Sequence, residues 1–142
     1  MSPPVPGEET AAAILRSFKT WAVVGCSPDP GRDSHRVARF LQQRGYRILP
    51  VNPVCDSDDL LGEHCYDSLL DIPATEEVEV VDVFRRSEFA GEVVDQAIAI
   101  GAKAVWMQLG VVDRGAAARA EAAGLQVVMN RCPMIDLPAL SI

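Results

Sequence analysis

The chain has 142 residues, of which 49% are hydrophobic and 23% charged, the balance of one ordinary globular domain. A chain of this length buries roughly 70% of the surface of its extended form, so it needs no disulfide or metal to be stable. A net charge of −7 excludes a general nucleic-acid binder, and no apolar run approaches the roughly 20 residues of a membrane span.

Residues 1–9, Pro-rich and acidic, read as a loose tail, and residues 10–142 as a single domain. The tail has no basic or apolar leader pattern, so the expected setting is cytoplasmic. Thr10 is the expected cap of a short helix over 11–18, with Ile14, Leu15 and Phe18 at helical spacing. A β-then-α alternation follows. Residues 21–24 are an apolar run ended by Gly25, hence a buried strand. Residues 34–44 form a helix with Val37, Ala38, Phe40 and Leu41 inward and Gly45 as its stop. The second strand covers 46–51 and closes on Asn52-Pro53. The stretch 54–73 is irregular, with a turn at Leu61-Gly62 and a short helix near 68–70. A third strand covers 78–84, and Ser87 caps a helix that runs to Ile100. The fourth strand covers 104–109. Asp113 opens an Ala-rich helix that stops at Gly124, and the fifth strand covers 125–129. A short tail with Pro133 and Pro138 follows.

Five apolar strands alternating with helices predict an α/β, Rossmann-like, doubly wound fold: a five-stranded parallel sheet with helices on both faces. Ligands of such sheets bind outside the carboxyl ends of the strands. The residues that follow each strand are therefore the candidates.

After strand one, Gly25, Cys26 and Ser27 lead through Arg32 to a helix start at Ser34. A helix amino terminus favours an anion. Ser27 offers a hydroxyl, and Arg32 and Arg36 are within reach of a phosphate. The loop lacks the second glycine of a dinucleotide fingerprint. Strand two ends in Asn52-Pro53, where an NAD site places an acid; the nearest acid is Asp56, which weakens an NAD reading. Arg85-Arg86 after strand three is a compact positive site, or equally a solvated turn pair. Arg131 adds a third charge at the same edge. The basic set holds eleven arginines and only two lysines, Lys19 and Lys103. Arginine suits bidentate contact with phosphate, although genomic composition explains the bias as well.

Nucleophilic and metal chemistry find little support. Cys26 and Cys132 stand at strand ends as possible reactive thiols or as small core residues. Neither His35 nor His64 is placed as a base, and no G-x-S-x-G elbow occurs. The spacing of Cys55, His64 and Cys65 matches no ligand pattern. Asp82 reads as a hydrogen-bonded residue near the sheet edge, and Trp106 as core.

In order along the chain, WAVVGCS at 21–27, SHRVA at 34–38, ILPVNP at 48–53, VFRR at 83–86, VWMQLG at 105–110 and NRCP at 130–133 resemble the CoA-binding domain family. The likeness spans residues 15–140. It implies a Rossmann-like domain related to the CoA-binding domain of succinyl-CoA synthetase α subunits. It also implies that Gly25 and Ser27 approach the phosphates of coenzyme A and that Asn52 and Pro53 border the nucleotide. Phe84, Arg85 and Arg86 then line the site, with Gly110 and Asn130 further along. The synthetase's phosphorylated histidine loop and second domain have no counterpart, so no ligase reaction is implied. The expected ligand is coenzyme A or an acyl-CoA. The alternatives are an NAD(P)-binding redox sensor and a protein-interaction adaptor with a vestigial nucleotide site.

Overall fold

The computed structural model describes residues 7–55 and 59–142. Twelve short elements follow one another: α1 (Glu8–Ser17), β1 (Thr20–Val24), α2 (Asp33–Gln43), β2 (Arg47–Val51), two single-turn 3-10 helices (Leu69–Asp71 and Ala74–Glu76), β3 (Val80–Val83), α3 (Ser87–Ala99), β4 (Ala104–Met107), α4 (Arg114–Ala122), β5 (Gln126–Val128) and α5 (Pro133–Ala139). All strand pairs are parallel, and the sheet order is β2-β1-β3-β4-β5. The chain winds outward from β1 to β2, then returns across β1 to β3. The switch point therefore lies between β1 and β3.

Both faces of the sheet are buried, which is why its strands are apolar without alternation. On one face Trp21, Val23, Ile48, Val80 and Trp106 meet α1, α2 and α5. On the other, Ala22, Leu49, Val81, Val105 and Met107 meet α3 and α4. The first face is built on aromatic rings. Trp21 lies 5.5 Å from Trp106 and 5.8 Å from Tyr46. Each polar handle has a partner: Trp21 Nε1 donates to the Phe18 carbonyl, Tyr46 to Leu15 and Trp106 Nε1 to Arg131. Trp106 is thus core, as expected.

Four local expectations change. The first helix begins at Glu8, after Gly7 in a left-handed conformation (φ 85°), so Thr10 lies inside it and residues 8–9 are helical. Glu8 and Glu9 in the first turn suit the helix dipole there. Residues 1–6 of the expected tail, and Asp56, lie outside the described residues. The helix after β3 starts at Ser87, with Arg86 as its cap residue, so Ser87 is not the cap. The expected terminal tail is helix α5, opened by Pro133 at its first turn, where proline is compatible with a helix. Asp82 is neither at an edge nor hydrogen-bonded. Its strand β3 is the middle one of five, and both carboxyl oxygens are buried without a partner.

Candidate functional site

The carboxyl ends of the strands open into two adjoining cavities. One, of about 540 Å³, is lined by Gly25, Ser27, Gly31, Arg32, Asp33, Ser34 and Phe84. The other, of about 430 Å³, lies over β3 and β4 and is bordered by Phe84, Arg85, Arg86, Gln108, Gly110 and Cys132, among others. Asp33 and Phe84 line both, so the two form one groove that crosses the switch point. A third cavity, beside Glu77, Glu79 and Lys103, lies toward the other ends of β3 and β4 and holds none of the candidate residues.

The first cavity is polar and set by the β1–α2 loop. Gly25 has φ 90°, and a Cβ there would stand 2.4 Å from the Phe84 carbonyl oxygen. Only glycine lets β1 turn this close to the end of β3. The Gly25 N–H donates to the Val51 carbonyl at 2.8 Å. The Ser27 N–H donates to Ser34 Oγ at 2.9 Å, and Ser27 Oγ accepts from Asp29 N–H at 3.1 Å. Buried His35 places Nδ1 2.9 Å from the Ser27 carbonyl, bracing the loop from below. Helix α2 begins here after Arg32, and no side chain caps it. Its first N–H groups and the positive end of its dipole are left to whatever occupies the cavity. Exposed Arg36 pairs with Asp33.

Helix α3 repeats the arrangement. It begins after Arg86, again without a side-chain cap. The Arg85 and Arg86 guanidinium groups lie 5.0 and 5.2 Å from the Phe89 ring centroid, which steadies both at the groove. Arg86 also approaches Glu88 at 3.4 Å on the open surface. Ser87 ties this helix start to the β4 loop, donating to the Gly110 carbonyl and accepting from Val112 N–H at 2.9 Å. By contrast α4 is closed by its own Asp113, which accepts from Ala116 N–H, as its sequence predicts.

The second cavity is the more apolar. Val37, Leu109, Val111, Met134 and Ile135 supply its walls. Gln108 stands at the end of β4, 5% exposed, with its Oε1 unpartnered. Its place at a strand end was in plain view, but only burial marks it as a polar group at the wall with a bond unmade. Met134 and Ile135 are equally new to the site, because they come from the helix expected as a tail.

Several predicted residues serve the frame instead. Asn52 Nδ2 donates to the Cys26 carbonyl at 3.0 Å and Oδ1 accepts from Val54 N–H at 3.0 Å, so this side chain locks the β1 and β2 ends together. Neither Asn52 nor Pro53 lines the groove. Asn130, at φ 57°, accepts from Gly110 N–H at 2.8 Å and fixes the β4 end to the β5 end. Arg131 is not a third charge at the edge: it holds Asp136 in a bidentate pair at 2.7 and 3.0 Å, with side chains only 17% and 9% exposed. Cys26 is core, not a groove thiol. Burial, then the neighbouring Cys55 and Asp82, pushes its thiol up to about 12. Cys132 does reach the groove wall, although it is nearly buried. No group of three metal-ligating side chains occurs among the described residues. No helix among them is long and apolar enough to cross a membrane.

A family model described as a CoA binding domain matches residues 19–138. The chain is 36% identical over 127 residues to the uncharacterized protein YneT of Bacillus subtilis, covering 89% of this chain and 91% of that one. It is 33% identical over 100 residues to the ADP-forming acetate–CoA ligase II of Archaeoglobus fulgidus, covering 68% of this chain and only 14% of the ligase. The structure of a hypothetical protein from Pyrococcus horikoshii OT3 superposes with a TM-score of 0.88 at 41% identity, over 100% of this chain and 99% of that one.

Proposed function

From the premise that this chain belongs to the CoA binding domain family, we propose that it binds coenzyme A or an acyl-CoA in the groove over β1, β3 and β4. The observation that carries this reading is the pair of helix starts, α2 and α3, both without side-chain caps and both at the groove, one beside Arg32 and one beside Arg85 and Arg86. Coenzyme A carries a diphosphate and a 3′-phosphate, and each helix start favours an anion. Its pantetheine arm is long and weakly polar, which matches the apolar half of the groove. The arm's amides match Gln108, whose own amide offers donors and an acceptor. A net charge of −7 opposes the ligand at long range, but salt screens that repulsion beyond about 8 Å, leaving the local groups to decide. No reaction is assigned to the site.

The test is a comparison of ligands by thermal shift and calorimetry. Coenzyme A is expected to bind at least about tenfold more tightly than NAD, NADH or NADPH, about 1.4 kcal/mol. Stabilisation by a nicotinamide dinucleotide and not by coenzyme A would replace this reading with a redox sensor. Stabilisation by none of them would favour an adaptor.

A further inference from the structure

Outside the groove, under the end of β2, three of the four cysteines converge. Cys26 and Cys65 are buried in one core cluster, at 0% and 7% exposure, and the partly open Cys55 packs against it. The backbone accounts for the meeting. Tyr66 bridges in parallel to Val51, its N–H donating to the Pro50 carbonyl and its carbonyl accepting from Asn52 N–H. That pairing holds Cys65 against the end of β2. Cys55 is turned back to the same point, where its N–H donates to the Asn52 carbonyl at 3.2 Å. The Cys65 sulfur lies 3.9 Å from that same oxygen. Cys55 and Cys65 thus meet at one carbonyl oxygen, that of Asn52.

We propose that Cys55 and Cys65 are a dithiol that exchanges with a low-molecular-weight disulfide and closes as an internal disulfide. The order of events follows from access. Burial foremost, then the Cys55 side chain, pushes the Cys65 thiol up to about 12, so Cys65 is a poor first attacker. Cys55, the most open of the three, loses its proton to solvent and attacks one sulfur of the external disulfide. A mixed disulfide forms on Cys55, the external S–S bond breaks, and the first thiolate leaves and is protonated. Cys65 then gives up its proton and attacks the Cys55 sulfur. The Cys55–Cys65 bond forms, the mixed disulfide breaks, and the second thiolate leaves and is protonated. Two protein thiols are oxidised and one disulfide is reduced to two thiols. Proximity drives the second step despite the high Cys65 pKa.

Glutathione disulfide is the probe, so the test does not depend on ligand binding in the groove. The folded protein is followed by intact mass and peptide mapping. The native chain is expected to gain one glutathionyl group on Cys55, then lose it and end two hydrogens lighter, with Cys55 joined to Cys65. Cys65→Ser is expected to stop at the Cys55 adduct. Cys55→Ser, at a partly open position, is expected to slow adduct formation at least tenfold. An adduct on Cys132, a bond to Cys26, a wild-type adduct that persists like that of Cys65→Ser, or no reaction would each overturn the proposal.

Discussion

Replacing Asp82 by asparagine isolates the cost of a buried carboxyl. Asp82 stands in the central strand, in register with Val23 and Trp106. Its oxygens have no partner, and burial raises its pKa well above the ordinary carboxylate range. The folded protein therefore keeps this proton, while the unfolded chain releases it near pH 3.9. Between the two values the native state holds one proton more than the unfolded state. This contribution to stability is fully present below the unfolded pKa. It is lost as pH rises toward the native pKa, at about 1.4 kcal/mol per pH unit. Asparagine has nearly the same shape and does not titrate. The unfolding free energy of Asp82→Asn minus that of wild type should thus rise with pH above the unfolded pKa, with a slope approaching about 1.4 kcal/mol per pH unit, across a pH series begun at about pH 5. Urea unfolding of both proteins at each pH measures the difference and cancels every other titrating group. Parallel curves would refute the reasoning, since they would mean that Asp82 has the same charge in both states.

Three further outcomes are expected. Gly25→Ala should destabilise the fold by about 2 kcal/mol or more in urea, because it imposes a positive φ on a side chain and drives its Cβ into the Phe84 carbonyl. Replacing Arg85 and Arg86 together by alanine should weaken coenzyme A binding by about 1.5–3 kcal/mol per charged hydrogen bond lost, with an unchanged urea midpoint; unchanged affinity by calorimetry in low salt would mark the pair as a solvated turn. Gln108→Met should cost coenzyme A about 1 kcal/mol and leave adenosine 3′,5′-bisphosphate, which lacks the arm, unaffected by the same assay.

The sheet was legible because a strand covered on both faces is a largely apolar run, and β1, β2 and β4 announce themselves that way, while β3 does so despite Asp82. Strand order is another matter. Nothing local in residues 78–84 says that β3 will pair with β1 and become central, so the sequence alone leaves Asp82 reading as an edge residue. Caps were legible only where the side chain folds back on its own helix, as Asp113 does. Ser87 reaches across to Gly110 and Val112 instead, a partnership set by tertiary packing. At the site, glycine and arginine at strand ends were visible, and Gly25, Arg32, Arg85 and Arg86 do border the groove. Which arginine is available was not visible. Arg131 is neutralised by Asp136, five residues on, because α5 folds back beneath it. The two prolines within that helix, Pro133 at its start and Pro138 near its end, conceal it.

The groove draws its walls from Gly25 near one end of the chain to Ile135 near the other. Because β1 pairs with β3 across the sequence that builds β2, no contiguous fragment shorter than Gly25–Ile135 holds every wall of the groove. Such pairings close late and slowly in folding. A ligand held across them would therefore recognise only the completed topology, and its binding would act as a check that the whole chain has closed. Protection from hydrogen exchange would then rise together in β1, β4 and α5, segments far apart in sequence, and not in the loop nearest the ligand alone.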